Sequence, residues 1–137
     1  MATTYSNNAT RIFRDVLEVT DDLTLTAADS GKTIFMNAAG GGTITLPALL
    51  SGVNFRIMVG ATAPTTAWIV DSAEGDNISG NLTVNGASVP AVAEDQINFI
   101  ANTALPGDFI DLECDGTNWY VVGVGNAAGS ITATDPS

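Results

Sequence analysis

Carboxylates are the side chains best suited to chemistry here, because the 137-residue sequence contains 15 Asp and Glu, no histidine and one cysteine. Asp111 and Glu113 are separated by one residue in a segment that alternates apolar and polar side chains. On a β-strand such a pair lies on one face, about 7 Å apart, a separation that overlaps the range of glycosidase acid–base pairs. A polar outer strand face has the same pattern, and no aromatic sugar-binding platform accompanies it. We therefore interpret both carboxylates as surface residues and predict that the protein is not an enzyme.

A second group of carboxylates lies in the acidic segment 71–77. Asp71, Glu74 and Asp76 could supply the oxygen ligands that Ca²⁺ prefers, but their spacing does not match the D-x-[DN]-x-[DN]-G pattern of an EF-hand loop. An acidic hairpin loop with a glycine turn would have the same composition. We keep the three carboxylates as a calcium candidate loop, and otherwise predict no metal and no cofactor.

The thiol and the single lysine amine both have structural interpretations. Cys114 follows Ile110 and Leu112 at intervals of two residues, so a strand would place its thiol in the core, where it is inert. Lys32 follows Gly31 at the start of a predicted strand and is expected to lie in solvent. Without histidine, no Ser–His or Cys–His pair can form, which disfavours a small hydrolase.

Short strands separated by turn residues account for most of the sequence, and no segment has a convincing 3.6-residue period. The predicted strand segments are 16–20, 23–26, 32–37, 43–46, 53–59, 67–70, 78–84, 96–101, 109–114 and 119–124. Gly80-Asn81 is expected to divide 78–84 into two strands, while 48–51 and 89–94 could each form one helical turn. About eight to ten short strands at this spacing predict an all-β fold, a single small β-sandwich that is jelly-roll-like.

The sequence divides into three parts, which are an extended N-terminal arm (1–15), a β-sandwich domain (16–125) and a flexible C-terminal tail (126–137). The arm contains the cluster Arg11, Ile12, Phe13 and Arg14, in which two apolar residues lie between two arginines. Such a cluster is suited to docking on a partner. A frayed terminus is the alternative interpretation.

The net charge of −11 is unevenly distributed along the sequence. Residues 1–15 carry two arginines and one aspartate, a net charge of +1, whereas residues 16–137 carry two cations and 14 acids, a net charge of −12. An acidic surface repels phosphate groups and anionic lipid headgroups, so we predict no nucleic-acid partner and no membrane partner. The polar N-terminus lacks the apolar region of a signal peptide, and we expect synthesis and folding in a cytoplasm.

Trp119 and Tyr120 are adjacent in a predicted strand, so the pleat directs their side chains to opposite faces. One of the two rings must therefore point away from the main core or cover a sheet edge. A subunit interface would explain such a ring, and so would simple partial exposure.

Six short segments rich in turn residues are spread over roughly residues 20–125. They are LTAADSGKT (25–33), TITLP (43–47), GVNFR (52–56), GDNISG (75–80), GDFIDL (107–112) and DGTNWYV (115–121). Together they resemble a β-module common in structural proteins of tailed bacteriophages. That module occurs in tail fibres and similar virion proteins, and as small stand-alone capsid decoration (cement) proteins.

The resemblance implies a structural virion protein, and the single module without shaft repeats or a large receptor head favours decoration of the outer capsid surface. Such proteins are small and often trimeric, so the resemblance implies a homotrimer that binds the major capsid protein and stabilises the mature shell. On grounds of charge, the expected capsid contacts are Arg11, Ile12, Phe13 and Arg14. The alternative is a tail-fibre or baseplate module that binds host glycans or another tail protein.

Overall fold

Strands make up most of the described chain, in a computed structural model that covers residues 13–73 and 77–136. They are β1 (Val16–Val19), β2 (Leu23–Thr24), β3 (Thr33–Met36), β4 (Gly42–Leu46), β5 (Asn54–Val59), β6 (Trp68–Ser72), β7 (Ile78–Val84), β8 (Ala87–Glu94), β9 (Gln96–Phe99), β10 (Phe109–Cys114), β11 (Trp119–Gly125) and β12 (Ile131–Thr134). One 3-10 turn, Ala27–Asp29, lies between β2 and β3. Within the described ranges there is no helix long and apolar enough to cross a membrane.

The strands form two mixed sheets. The larger has seven strands in the order β1-β3-β5-β10-β11-β7-β8, and the smaller has five in the order β12-β9-β6-β4-β2. Five of the ten pairings between described strands are parallel, whereas the strands of a jelly roll are antiparallel. The predicted all-β sandwich is confirmed, and its mixed pairing is a feature that the sequence did not reveal.

Side chains from the inner faces of both sheets form one hydrophobic core. β5 and β10 alternate between buried and outward side chains, and Ile57 and Ile110 are paired and completely buried. The smaller sheet contributes Trp68 and Phe99, which are also paired and completely buried. Full burial of an Ile or Phe side chain contributes about 1.5–3 kcal/mol, so apolar packing holds the two sheets together.

β10 and β11 form an antiparallel hairpin, as the sequence predicts from its turn residues. Asp115 Oδ1 accepts hydrogen bonds of 2.8 Å from the backbone N–H groups of both Thr117 and Asn118. The turn sets a register in which Glu113 pairs with Tyr120. Local turn chemistry therefore decides which side chains share the outer face of these two strands.

The segment predicted to be two strands divided at Gly80 is the single strand β7, so that prediction is wrong. Gly80 has a φ of 151°, and a Cβ atom there would lie 1.9 Å from the carbonyl oxygen of Val121 on β11. The pairing of β7 with β8 shifts register between Ile78 and Gly80. Glycine at this position permits a close approach between paired strands and does not end the strand.

The predicted helical turn at 89–94 is also wrong, because these residues belong to β8. Pro90 is compatible with this strand because β8 lies at the edge of its sheet, where one row of backbone N–H groups has no ladder partner. Residues 48–51 connect β4 to β5 without a helical turn. The edge position of β8 depends on tertiary structure, which the local sequence does not encode.

The C-terminal segment forms β12, which corrects the prediction of a flexible tail at 126–137. Ile131 is buried in the core, and the side-chain nitrogen of Asn98 on β9 donates a hydrogen bond of 2.9 Å to the hydroxyl oxygen of Thr134. The small polar residues of this segment give a weak strand signal by themselves. Pairing with β9 holds this segment as a strand, although its residues by themselves favour a strand only weakly.

The close approach at Gly80 makes a first testable prediction. Gly80→Ala is expected to lower the free energy of unfolding by roughly 2–4 kcal/mol, because the added methyl group would collide with the backbone of β11. Gly40→Ala is the matched control, since a Cβ atom at Gly40 has nothing within 4 Å. Urea unfolding of both variants measures the difference, and equal stability of the two would contradict the steric explanation.

The Asp115 turn predicts a pH dependence of stability. Hydrogen bonds from the backbone N–H groups of Asn118 and Thr117 lower the pKa of the Asp115 carboxyl below its ordinary value of 3.8. The unfolded chain therefore takes up this proton first, so the stabilisation is complete well above pH 3.8 and is lost as the pH falls through the folded-state pKa.

Asp115→Asn keeps an oxygen that can accept the same hydrogen bonds but removes the titration. We expect unfolding free energies measured between about pH 5 and pH 2 to fall less steeply with acidification than in the parent protein. An unchanged slope would show that the turn does not contribute to acid sensitivity.

Candidate functional site

The outer face of the five-stranded sheet is polar, and its side chains bind one another. Gln96 Nε2 donates a hydrogen bond of 3.0 Å to Asp71 Oδ1, and Asn98 Nδ2 donates to the hydroxyl oxygens of Thr132 and Thr134. These polar groups are thus partly satisfied within the sheet. Such a surface is suited to contact with water.

The outer face of the seven-stranded sheet is different, because apolar side chains cross it from β1 to β11. We call this surface the apolar outer face. It consists of Val16, Phe35, Met58, Phe109, Tyr120, Val122 and Val124. Val122 is 64% exposed and Tyr120 is 47% exposed, although both lie near the middle of the sheet. Large exposed apolar patches with polar rims are typical of protein interaction sites.

An ion pair lies at the centre of the apolar outer face. Arg56 binds Asp111 through two hydrogen bonds, Nε to Oδ1 at 2.7 Å and the terminal nitrogen to Oδ2 at 2.9 Å. The guanidinium carbon also lies 4.6 Å from the centroid of the Phe109 ring, a cation–π geometry. The hydrogen bond to Asp111 raises the pKa of Arg56 above its ordinary value. The pair therefore neutralises itself and covers part of an aromatic ring.

The ion pair also bears on the carboxylates that the sequence singles out. Asp111 and Glu113 lie on the same outer face, as predicted from their spacing. Asp111 is held by Arg56, whereas no ion pair or side-chain hydrogen bond joins Glu113 to another described residue. Asp111 and Glu113 thus have different surroundings. Asp111 is already paired with a cation and is not free to act as a base.

A cleft of about 260 Å³ lies at one side of this face. Its polar lining comes from Arg14, Asp111, Glu113 and Tyr120, and Val122 forms part of its apolar lining. Arg14 thus brings the base of the N-terminal arm to the outer face, a proximity that the sequence does not reveal. Within the described part of the chain, Arg14 makes no ion pair.

The N-terminal cluster is only partly covered by the structure. Phe13 is 84% exposed and directly precedes Arg14 at the entry to β1. Arg11 and Ile12 lie outside the described residues, so the choice between docking and fraying stays a prediction. The exposed Phe13 ring is nevertheless available to a partner.

The calcium candidate loop also lies partly outside the described residues, which include Asp71 but not Glu74 or Asp76. Asp71 belongs to β6, and its carboxylate accepts the hydrogen bond from Gln96. Across 13–73 and 77–136, no group of three or more metal-binding side chains comes together. Only the sequence therefore supports the calcium hypothesis.

The structure places the remaining candidates in structural positions. Cys114 is buried in phase with its strand, as predicted, and Trp119 is buried while Tyr120 is exposed on the opposite face. Lys32 Nζ forms an ion pair of 2.9 Å with Asp29 Oδ1, a contact that an i,i+3 spacing permits. These groups are accounted for by packing and local pairing.

Asp108 is a completely buried carboxylate that sequence reasoning missed. Its oxygens accept hydrogen bonds from the backbone N–H groups of Leu105 and Asn126 and from the side-chain nitrogen of Asn126. It therefore ties the loop before β10 to the end of β11. The position after Pro106-Gly107 marks a turn in the sequence, but nothing there signals the distant partner Asn126.

Comparisons with known proteins leave the function to be inferred from these features. No protein-family model matches the chain, and searches of curated proteins and of solved structures find no match. The apolar outer face, its central ion pair and the exposed arm residue Phe13 are consequently the observations from which a function must be argued.

The acidic loop makes a prediction about metals. We expect neither Ca²⁺ nor a chelator to change the melting temperature, because Asp71 already has a side-chain partner and the spacing of the three carboxylates is not that of an EF-hand loop. Calorimetry of the full chain in Ca²⁺ and in EDTA tests this. A Ca²⁺-dependent rise that disappears in Asp71→Asn would instead establish a calcium site.

Proposed function

We propose that this protein is a non-catalytic decoration protein that binds the outer surface of a tailed-phage capsid and stabilises the mature shell. Its partner is the major capsid protein, and it is made in the host cytoplasm before joining the virion. The proposal is supported by the sequence resemblance and agrees with the all-β sandwich. Among the described residues, the apolar outer face and the exposed Phe13 are suited to contact with another protein.

The observation that carries the proposal is the exposure of Phe13. A phenylalanine side chain that is 84% exposed at the entry to the first strand gains little stabilisation from burial within its own chain. Arg14 follows it, on an arm with net charge +1 attached to a body with net charge −12. An aromatic anchor beside an arginine has the composition of an interface hot spot.

The charge distribution supports an orientation on the shell. The acidic body repels other acidic bodies and stays in solvent, while the weakly basic arm is free to contact the capsid lattice. A ligand that binds only the mature lattice stabilises it by mass action. A homotrimer would present three arms, and linked contacts convert modest single affinities into strong overall binding.

A second candidate is a tail-fibre or baseplate module that binds host glycans or another tail protein. It is favoured by the cleft in which the exposed Tyr120 ring lies beside the Asp111 and Glu113 carboxylates. An aromatic surface next to hydrogen-bonding carboxylates is suited to a sugar. Glycan binding requires binding to cells, and neither form of this function requires the arm.

Co-sedimentation with expanded phage shells that lack the protein tests the proposal, with whole host cells as parallel bait. We expect saturable binding to shells, and we expect Phe13→Ala to weaken it about tenfold, the effect of losing an interface anchor worth about 1.4 kcal/mol. Val92→Ala is the matched control, because Val92 is 74% exposed but lies on the edge strand β8.

Binding to cells and not to shells would replace the proposal with the tail-module function. Normal shell binding by a protein that lacks residues 1–14 would show that the arm is not the capsid contact. Equal weakening by the Phe13 and Val92 substitutions would remove the special role of Phe13.

A further inference from the structure

We infer that a second cleft on the outer side of the seven-stranded sheet binds an arginine side chain presented by a partner protein. We call it the Glu18 cleft, and its volume is about 500 Å³, a size typical of binding sites. Its polar wall consists of Glu18 and Asn37, and its apolar wall includes Val16, Phe35, Val59 and Pro106. The inference rests on the geometry of this cleft and not on the proposed function.

A carboxylate and an aromatic ring lie side by side in the Glu18 cleft. Glu18 and Phe35 are directly paired in the register of the parallel strands β1 and β3, and neighbouring strands are about 4.8 Å apart. One guanidinium group can reach both side chains at this separation. It would donate hydrogen bonds to the carboxylate and stack on the ring.

The same sheet shows how such a pair of groups holds an arginine. Arg56 donates two hydrogen bonds to Asp111, and its guanidinium carbon lies 4.6 Å from the centroid of the Phe109 ring. Glu18 and Phe35 repeat this combination of carboxylate and phenyl ring on the same side of the sheet. No ion pair joins Glu18 to another residue within 13–73 and 77–136. An arginine from a partner would complete the combination.

Hydrogen bonds hold the Glu18 carboxylate in position. The side-chain nitrogen of Asn37 donates to Glu18 Oε2, and Asn37 Oδ1 accepts a hydrogen bond of 2.8 Å from the backbone N–H group of Thr62. A carboxylate has about four acceptor positions, so the bond from Asn37 leaves room for both donors of an arginine fork. A binding group that is already held in place loses less conformational entropy when the ligand arrives.

Charge and shape favour arginine as the occupant. Glu18 is the charged residue among those that line the cleft, and residues 16–137 carry two cations and 14 acids, so the surroundings attract cations. The aliphatic stem of an arginine can pack on Val16, which is 60% exposed. Lysine presents a compact, strongly hydrated charge that neither stacks nor binds through a fork, so it fits the cleft less well.

The cations of the described chain have other positions. Lys32 and Arg56 are already in ion pairs. Arg14 lines the cleft of about 260 Å³, and four residues of extended strand place it roughly 13 Å from Glu18 along the backbone. Arg11, the remaining cation of the sequence, lies outside the described residues. The experiment must therefore distinguish a partner's arginine from Arg11.

Two-dimensional NMR of the isotope-labelled full chain, titrated with the peptide acetyl-Gly-Arg-Gly-amide, tests the inference. We expect the peptide to shift the backbone N–H signals of Gly60, Ala61 and Gly107, which line the cleft. We expect the same peptide with citrulline in place of arginine to bind about fivefold more weakly. Citrulline has nearly the same shape but no charge, and fivefold corresponds to the loss of a partly exposed ion pair.

Substitutions in the cleft test the two groups separately. Glu18→Gln should weaken binding of the arginine peptide about fivefold, while keeping an oxygen that can accept the hydrogen bond from Asn37. Glu113→Gln is the matched control, because it removes the same charge from the same outer face but lines a different cleft. Phe35→Leu should weaken binding about threefold, since leucine keeps apolar packing and removes the ring.

Several outcomes would overturn the inference. They are equal binding of the arginine and citrulline peptides, equal weakening by the Glu18 and Glu113 substitutions, and shifts confined to other parts of the protein. Arg11→Ala should leave the cleft signals of the peptide-free protein unchanged. If it changes them and strengthens peptide binding, the chain's own arm occupies the cleft and the partner's arginine is excluded. Shells and cells play no part in these measurements, so their failure leaves the proposed function to its own test.

Discussion

β10 lies between β5 and β11, and its two-residue alternation allows each side chain only two destinations, the core or the outer face. Ile110 and Leu112 are buried, so Asp111 and Glu113 must point outward. The same constraint on β11 buries Trp119 and exposes Tyr120. The paired strands share one register, so the two-residue alternation fixes both faces at once. The residues that build the core also determine which side chains the outer face offers to partners.

Within that pattern, Arg56 gives the outer face its chemical character. It lies opposite Asp111 in the register and reaches the neighbouring Phe109 ring, so one side chain neutralises a carboxylate and packs on an aromatic surface. Without Arg56, an unpaired carboxylate would lie among apolar neighbours, and covering the face would leave a buried charge. The ion pair therefore allows this face to be covered without leaving an unpaired charge.

Alternation and turn chemistry are local, which is why the sequence predicts the β10–β11 hairpin, the buried Cys114 and the sandwich class. Features that depend on distant partners were missed. In the sequence alone, the glycine at position 80 looks like a break in the strand. Its real role is the close contact with Val121, which is 41 residues away and therefore not visible locally. The strand at Ile131 depends on β9 in the same way. The pairing of Asp111 with Arg56, and the position of Arg14 beside the outer face, likewise require the strand order of the larger sheet.

The base of the N-terminal arm and the apolar outer face are neighbours. Arg14 lines the cleft at the side of the apolar outer face, and Phe13 precedes it in the chain. In the proposed homotrimer, three such arms would belong to one assembly. Linked arms raise the effective concentration of each successive contact. Association between copies would then strengthen binding to a repeating lattice without any additional contact from a single arm.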